Sequence, residues 1–258
     1  MNQVPTYLIN LARSHNRKVA MQEQLAHFPQ LDLIIVSAID GAMLNEADLH
    51  TTYNSEKAMQ YLYRDMTLPE IGCALSHIAC YRQLLASNAP FALILEDDVI
   101  IETATIFSET DAISTIMNDT KATILLCTPD VVVKQSGKQQ LSKNVTIAKY
   151  FSGVCAAGYI INKAAARYLV DHHYPVYHPA DLWRLLRDNP IAIWALTQPA
   201  IAFHPVSKIS TIEKSTLKHL KPKRQKTLGE SAKHSLHKLH KKLGLKLGWL
   251  KKNTSTNH

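Results

Sequence analysis

An α/β fold built on a mostly parallel, twisted sheet is what this sequence predicts, and three observations carry that expectation. Apolar runs of strand length alternate with helix-length segments. The opening reads as a βαβ unit. Further along, a helix again hands over to a strand at an Asn-Ala-Pro stop.

The elements follow in order. VPTYLIN (4–10) and LDLIIVSA (31–38) look like buried strands, and the Arg/Lys/Gln-rich segment 14–27 between them reads as a crossover helix. Residues 70–87, EIGCALSHIACYRQLLAS, bring Ile71, Ala74, Leu75, Ile78, Tyr81 and Leu85 near one helical face. Asn88-Ala89-Pro90 stops that helix before the strand FALILE (91–96). TILLCT (123–128), VTIAKYF (145–151) and AGYIIN (157–162) complete the expected strands, SGK (136–138) is a turn, and 163–170 is a helix.

With 258 residues and 46% hydrophobic content, the chain can bury a sizeable core. Its four cysteines include no CxxC pair, which argues against a disulfide framework or a zinc ribbon and for a reducing compartment. The first residues show no basic leader with an apolar stretch behind it, and no run reaches the length of a membrane span. The expectation is a cytosolic protein, soluble or peripheral.

The net charge of +8 is unevenly distributed. From Leu217 onward there are twelve Lys/Arg and one acid, leaving 17 Lys/Arg against 20 Asp/Glu in the body. A boundary is therefore expected near residue 215, with a body over 1–215 and a basic tail over 216–258. In the tail Leu236, Leu239, Leu243, Leu247 and Leu250 recur at spacings of three or four among lysines, the pattern of a cationic amphipathic helix. Such a helix suits an anionic bilayer surface, with Trp249 at headgroup level. A solvated face is the alternative. No nucleic-acid-binding motif accompanies the charge, so nucleic acid is not an expected partner.

In parallel sheets, ligands bind beyond the carboxyl ends of the strands. Asn10, Arg13 and Arg17 follow the first strand and suit a nucleotide's base edge and phosphates, although Arg13 and Arg17 also read as an ordinary helix face. The strand FALIL ends in Glu96, Asp97 and Asp98. Three unpaired carboxylates repel, and Mg²⁺ or Mn²⁺ relieves that repulsion; acids at this point also cap a following helix.

The segments LINLARSHNR, SAIDGA, EIGCALSHIACY, LILEDDV, AAGYIIN and HPADLW occur in this order over residues 4–210, and together they resemble glycosyltransferase family 25. The resemblance implies a GT-A type fold and an inverting transfer of a hexose, galactose favoured over glucose, from a UDP-sugar to a lipid-linked lipooligosaccharide acceptor. It implies a DxD-type metal motif, here Glu96-Asp97-Asp98, with Glu96 and Asp98 holding Mn²⁺ or Mg²⁺. Asp181, in HPADLW, is the implied catalytic base; its rival role is a helix cap before LWRLLRD. Asn10, Arg13, Arg17, Asp40, Ser76, His77 and Asp97 are the implied donor-binding residues, with Ser76 and His77 also readable as core polar groups. His204 is more simply structural than a ligand. A metal-dependent phosphohydrolase and a non-catalytic membrane-binding protein are the readings from other classes.

Overall fold

The structure is a computed structural model that describes residues 3–101, 109–118, 120–129, 131–187, 189–198, 201–203 and 227–253. The chain opens β1 (Val4–Asn10), α1 (His15–Leu25), β2 (Leu31–Ser37), then a 3-10 turn (Gly41–Met43). Next come α2 (Glu46–Thr52), α3 (Ser55–Leu62), α4 (Leu68–Ala86), β3 (Phe91–Glu96) and β4 (Val99–Ile101). The middle holds α5 (Thr110–Met117), β5 (Ala122–Leu126), β6 (Val131–Lys134), β7 (Gln139–Gln140), β8 (Thr146–Gly153) and β9 (Gly158–Asn162). The last part runs α6 (Lys163–His173), a 3-10 turn (Trp183–Leu185), β10 (Ile191–Leu196), β11 (Ile201–Phe203), α7 (Leu228–Lys246) and β12 (Leu250–Lys252).

The main sheet has ten strands in the order β12-β6-β8-β10-β5-β9-β3-β1-β2, with β7 paired to β8. Seven strands point one way, and β8, β9 and β12 run against them. The mixed α/β architecture with one dominant strand direction agrees with the expectation. The strand set is larger than expected, because β6, β7, β10 and β12 join it. Val131–Lys134 is too short to show a period. Leu250–Lys252 lies among lysines in a leucine pattern that reads as helix, and only its pairing to β6 makes it a strand.

Both faces of the sheet are buried, so its central strands need apolar side chains in both directions. Tyr7, Ile9, Ala92, Ile94, Ile124 and Leu126 face the core under α4 and α6. Val4, Leu8, Leu93, Leu95 and Leu125 face the opposite core with Met21 and Leu25 of α1 and Ile113 and Met117 of α5. Helix α4 starts at a capping box in which Thr67 accepts from the Glu70 amide and Glu70 accepts from Thr67, with Pro69 in the first turn. A guanidinium fork from Arg64 clamps the same Glu70 at 2.5 and 2.8 Å.

Candidate active site

The site is assembled where β1, β2 and β3 end side by side. Parallel pairing sets Ile9 opposite Glu96, so Asn10 and Asp97, each one residue on, come together. Asn10 Nδ2 donates to Asp97 Oδ2 at 2.6 Å and to the Ser14 carbonyl at 3.1 Å. From the first turn of α1, Arg17 Nη1 donates to Asp97 Oδ1 at 3.0 Å and lies 3.5 Å from Asp98 Oδ2. Both Asp97 oxygens are thus engaged by the end of β1 and the start of α1. Arg13 turns the other way and pairs with Asp40, whose carboxylate also accepts from the Ala42 amide at 3.1 Å.

Helix α4 closes the site from one side, and two glycines set its distance. A Cβ on Gly72 would stand 2.5 Å from both the Gly41 nitrogen and the Ile39 carbonyl oxygen, and one on Gly41 would collide with the Leu68 carbonyl. Ser76 pins the same junction: its hydroxyl donates to the Gly72 carbonyl at 2.7 Å and accepts from the Ile39 amide at 2.8 Å. Ser76 is 1% exposed, so it supports the Asp40 loop from beneath. His77, equally buried, spans core and site. Its Nδ1 shares a 2.7 Å hydrogen bond with the Tyr159 hydroxyl, which shares another of 2.7 Å with Tyr81, and its Nε2 faces Glu96 Oε1 at 3.4 Å. Cys73, one turn before His77, belongs to the same group of atoms.

Asp181 comes from the segment between α6 and the 3-10 turn Trp183–Leu185. Trp183 anchors its segment by packing edge-on to Tyr159 and donating Nε1–H to the Cys155 carbonyl at 2.7 Å. A second tie uses two histidines. His178 Nδ1 donates to the Pro179 carbonyl at 2.8 Å, which leaves Nε2 to accept from His173 Nδ1 at 2.7 Å. Burial, then the neighbouring His178, lowers the His173 pKa to about 3, and burial lowers that of His178, so both rings stay neutral. Leu182, and not Asp181, caps the 3-10 turn that follows. The helix-cap role for Asp181 therefore falls away.

Electrostatics ties Asp181 to the strand-end acids. Burial, then Glu96, raises the Asp98 carboxyl to about 6 against the pull of Arg17. Burial and then Glu96 also raise Asp181. The Cys73 thiol is raised by burial and then by Glu96, Asp181 and Asp98. Glu96 thus acts on both Asp98 and Asp181, and the arrangement can hold a cation or a proton. Of the sequence-derived site residues, Asn10, Arg17, Asp97 and Asp98 form one connected group, and His77 and Glu96 another that is coupled to Asp181. Arg13 and Asp40 pair at the rim, Ser76 lies below, and His204 and the expected boundary at 215 fall outside the described residues. Sequence reasoning passed over Cys73, Tyr81, Tyr159 and Trp183. Only Cys73 had a local signal, since it precedes His77 by four residues and so shares its helix face.

Fold and site together define an α/β protein with an acidic cluster at its strand ends. A family model described as glycosyltransferase family 25 (LPS biosynthesis protein) matches residues 3–183, and the chain belongs to that family. A glycosyltransferase 25 family member of Aedes aegypti is 34% identical over 99 residues, covering 37% of this chain and 16% of that protein. Procollagen galactosyltransferase 2 of Mus musculus is 33% identical over 100 residues, with the same 37% and 16% coverage. An inactive glycosyltransferase 25 family member 3 of Homo sapiens is 32% identical over 103 residues, again covering 37% and 16%. The matched region thus spans about a sixth of these relatives' length. A solved glycosyltransferase of Streptococcus pneumoniae shares 12% identity at a TM-score of 0.37, covering 75% of this chain and 45% of that one, a likeness too distant to bear on the site.

Proposed function

We propose that this chain is an inverting, metal-dependent hexosyltransferase that moves galactose from UDP-galactose to a lipooligosaccharide or LPS acceptor and forms a β linkage. The observation that carries the reading is that Glu96 acts on both Asp98 and Asp181, with Asp98 raised to about 6 by burial and by Glu96. Hard carboxylate oxygens in mutual repulsion fit Mn²⁺ or Mg²⁺. Glu96 and Asp98 would hold the ion, which would offset charge on the departing diphosphate. In this reading Asn10, Arg13, Arg17 and Asp40 meet the nucleotide, and Asp97, tied to Asn10 and Arg17, orients the end of β1 for it. His77 borders the donor sugar. Asp181 takes the proton of the acceptor hydroxyl, and its raised pKa brings it nearer to working pH, which favours a general base.

Support for galactose comes from relatives that carry that sugar in their names, and support for the acceptor from the family description. Support for a peripheral position at the cytosolic face of the inner membrane comes from α7. Its Leu236, Leu239 and Leu243, and Leu247 just past its end, are exposed in a lysine-rich segment. No helix among the described residues is long and apolar enough to cross a membrane. The test is UDP release from UDP-galactose and UDP-glucose with Mn²⁺, with and without a terminal-sugar acceptor. Acceptor-stimulated release is expected, fastest with UDP-galactose. UMP and hexose 1-phosphate formed with or without acceptor would point to the phosphohydrolase, and no UDP release across a broad donor and acceptor panel would overturn the transferase.

A further inference from the structure

We propose that Cys73, His77 and Glu96 form a binding site for a thiophilic divalent cation of the zinc class, separate in chemistry from the all-oxygen pair Glu96 and Asp98 and sharing one ligand with it. The Cys73 sulfur, a ring nitrogen of His77 and a Glu96 carboxylate oxygen all lie within 4.8 Å of one another. The geometry follows from the fold. Cys73 and His77 are four residues apart on α4 and project from one face, and Glu96 ends β3 opposite them.

A second observation concerns how His77 is held. Its Nδ1 is fixed by the Tyr159 hydroxyl at 2.7 Å, itself fixed by Tyr81, so Nε2 is the atom turned toward Glu96. Metal-ligating histidines are typically anchored in this way through the ring nitrogen that does not bind the ion. Sulfur and imidazole ligands favour zinc over manganese or magnesium. Zinc bonds of about 2.0–2.3 Å set ligand atoms about 3.5 Å from one another, and His77 Nε2 already stands 3.4 Å from Glu96 Oε1. Three protein ligands would leave the fourth position of a tetrahedral zinc to a water or a further ligand. A zinc ion here would draw Glu96 away from the hard cation, so zinc would antagonise Mn²⁺-stimulated transfer. That consequence alone rests on the transferase reading.

The full chain, stripped with chelator, is titrated with Co²⁺ as a spectroscopic stand-in for zinc. A near-ultraviolet sulfur-to-cobalt charge-transfer band is expected, saturating at one ion per chain and erased by added Zn²⁺. Cys73→Ser should lose the band, and Tyr159→Phe should weaken Co²⁺ affinity about 10- to 100-fold while keeping it. The unaltered chain gives an independent measurement. Zn²⁺ should slow alkylation of Cys73, mapped by mass spectrometry, and leave the rate at the partly exposed Cys155 unchanged. Co²⁺ binding without the band, a band that survives Cys73→Ser, or equal alkylation with and without Zn²⁺ would overturn the site. UDP release in zinc-free Mn²⁺ buffer is scored separately, so loss of the soft-cation site and loss of the transferase reading give different results.

Discussion

At Asp98 the burial of a single carboxylate works against stability at neutral pH. Its folded-state pKa of about 6 lies above the ordinary 3.8, so the folded chain binds that proton more tightly than the unfolded chain does. The resulting stabilisation is full below about pH 4 and is lost as pH rises through 6. In chelator at pH 7.5, Asp98→Asn should therefore raise stability, on the order of 1–3 kcal/mol, as read by denaturant melts. The same variant should lose metal-stimulated UDP release; full activity would place the ion elsewhere. The acidic trio was legible as a cluster in the sequence. Its division of labour was not, because the engagement of Asp97 by Asn10 and Arg17 joins residues some eighty positions apart. Tyr159 was illegible for the same reason: its contact with His77 crosses 82 positions and exists only because β9 lies beside β3.

At the scale of elements, the junction of α4 with the loop after β2 is set by Gly41 and Gly72. Gly72→Ala would drive a methyl group to 2.5 Å from backbone atoms of Ile39 and Gly41, neither of which can swing aside as a side chain can. The expected cost is about 1–3 kcal/mol in a denaturant melt, accompanied by weaker donor binding as the Asp40 loop shifts. An unchanged midpoint would mean that the helix slides freely on the loop. The helix itself was readable from the Pro90 stop and the apolar spacing. The close approach of Gly72 to Gly41, and the placing of Ser76 beneath the loop, emerge only when the helix packs against that loop. Helix α7 makes the complementary case. Leucines at spacings of three and four read as an amphipathic helix, and in the structure Leu236, Leu239, Leu243 and Leu247 are exposed while His237 stacks on Phe151 and His240 meets the same ring edge-on. Changing Leu239 and Leu243 together to Gln should lower affinity for anionic vesicles about tenfold or more, with soluble-acceptor turnover retained. Equal vesicle binding would remove this stripe from the membrane reading.

Across the whole molecule, the basic C-terminal segment and the sheet are joined. Leu250 is buried with Val132 and Phe151, and β12 pairs along β6. Asn253 donates its amide to the Val131 carbonyl at 2.7 Å and its side chain to the Leu196 carbonyl. Deleting residues 216–258 should therefore uncover Val132 and Phe151, lower the melting temperature and promote aggregation as well as weaken vesicle binding. A truncated chain as stable as the full one would show that this edge strand is dispensable. The sequence by itself determined the α/β class, most of the central strands, α4 and the acidic strand end. Each of these is written in local periodicity, in a stop signal or in contiguous charge. Only the tertiary structure decided the reversed strands β8, β9 and β12, the grouping of Cys73, His77 and Glu96, and the engagement of Asp97 away from its neighbours. Those features depend on which distant segments pack side by side, and that is settled by burial across the whole sheet, not by any local run of residues.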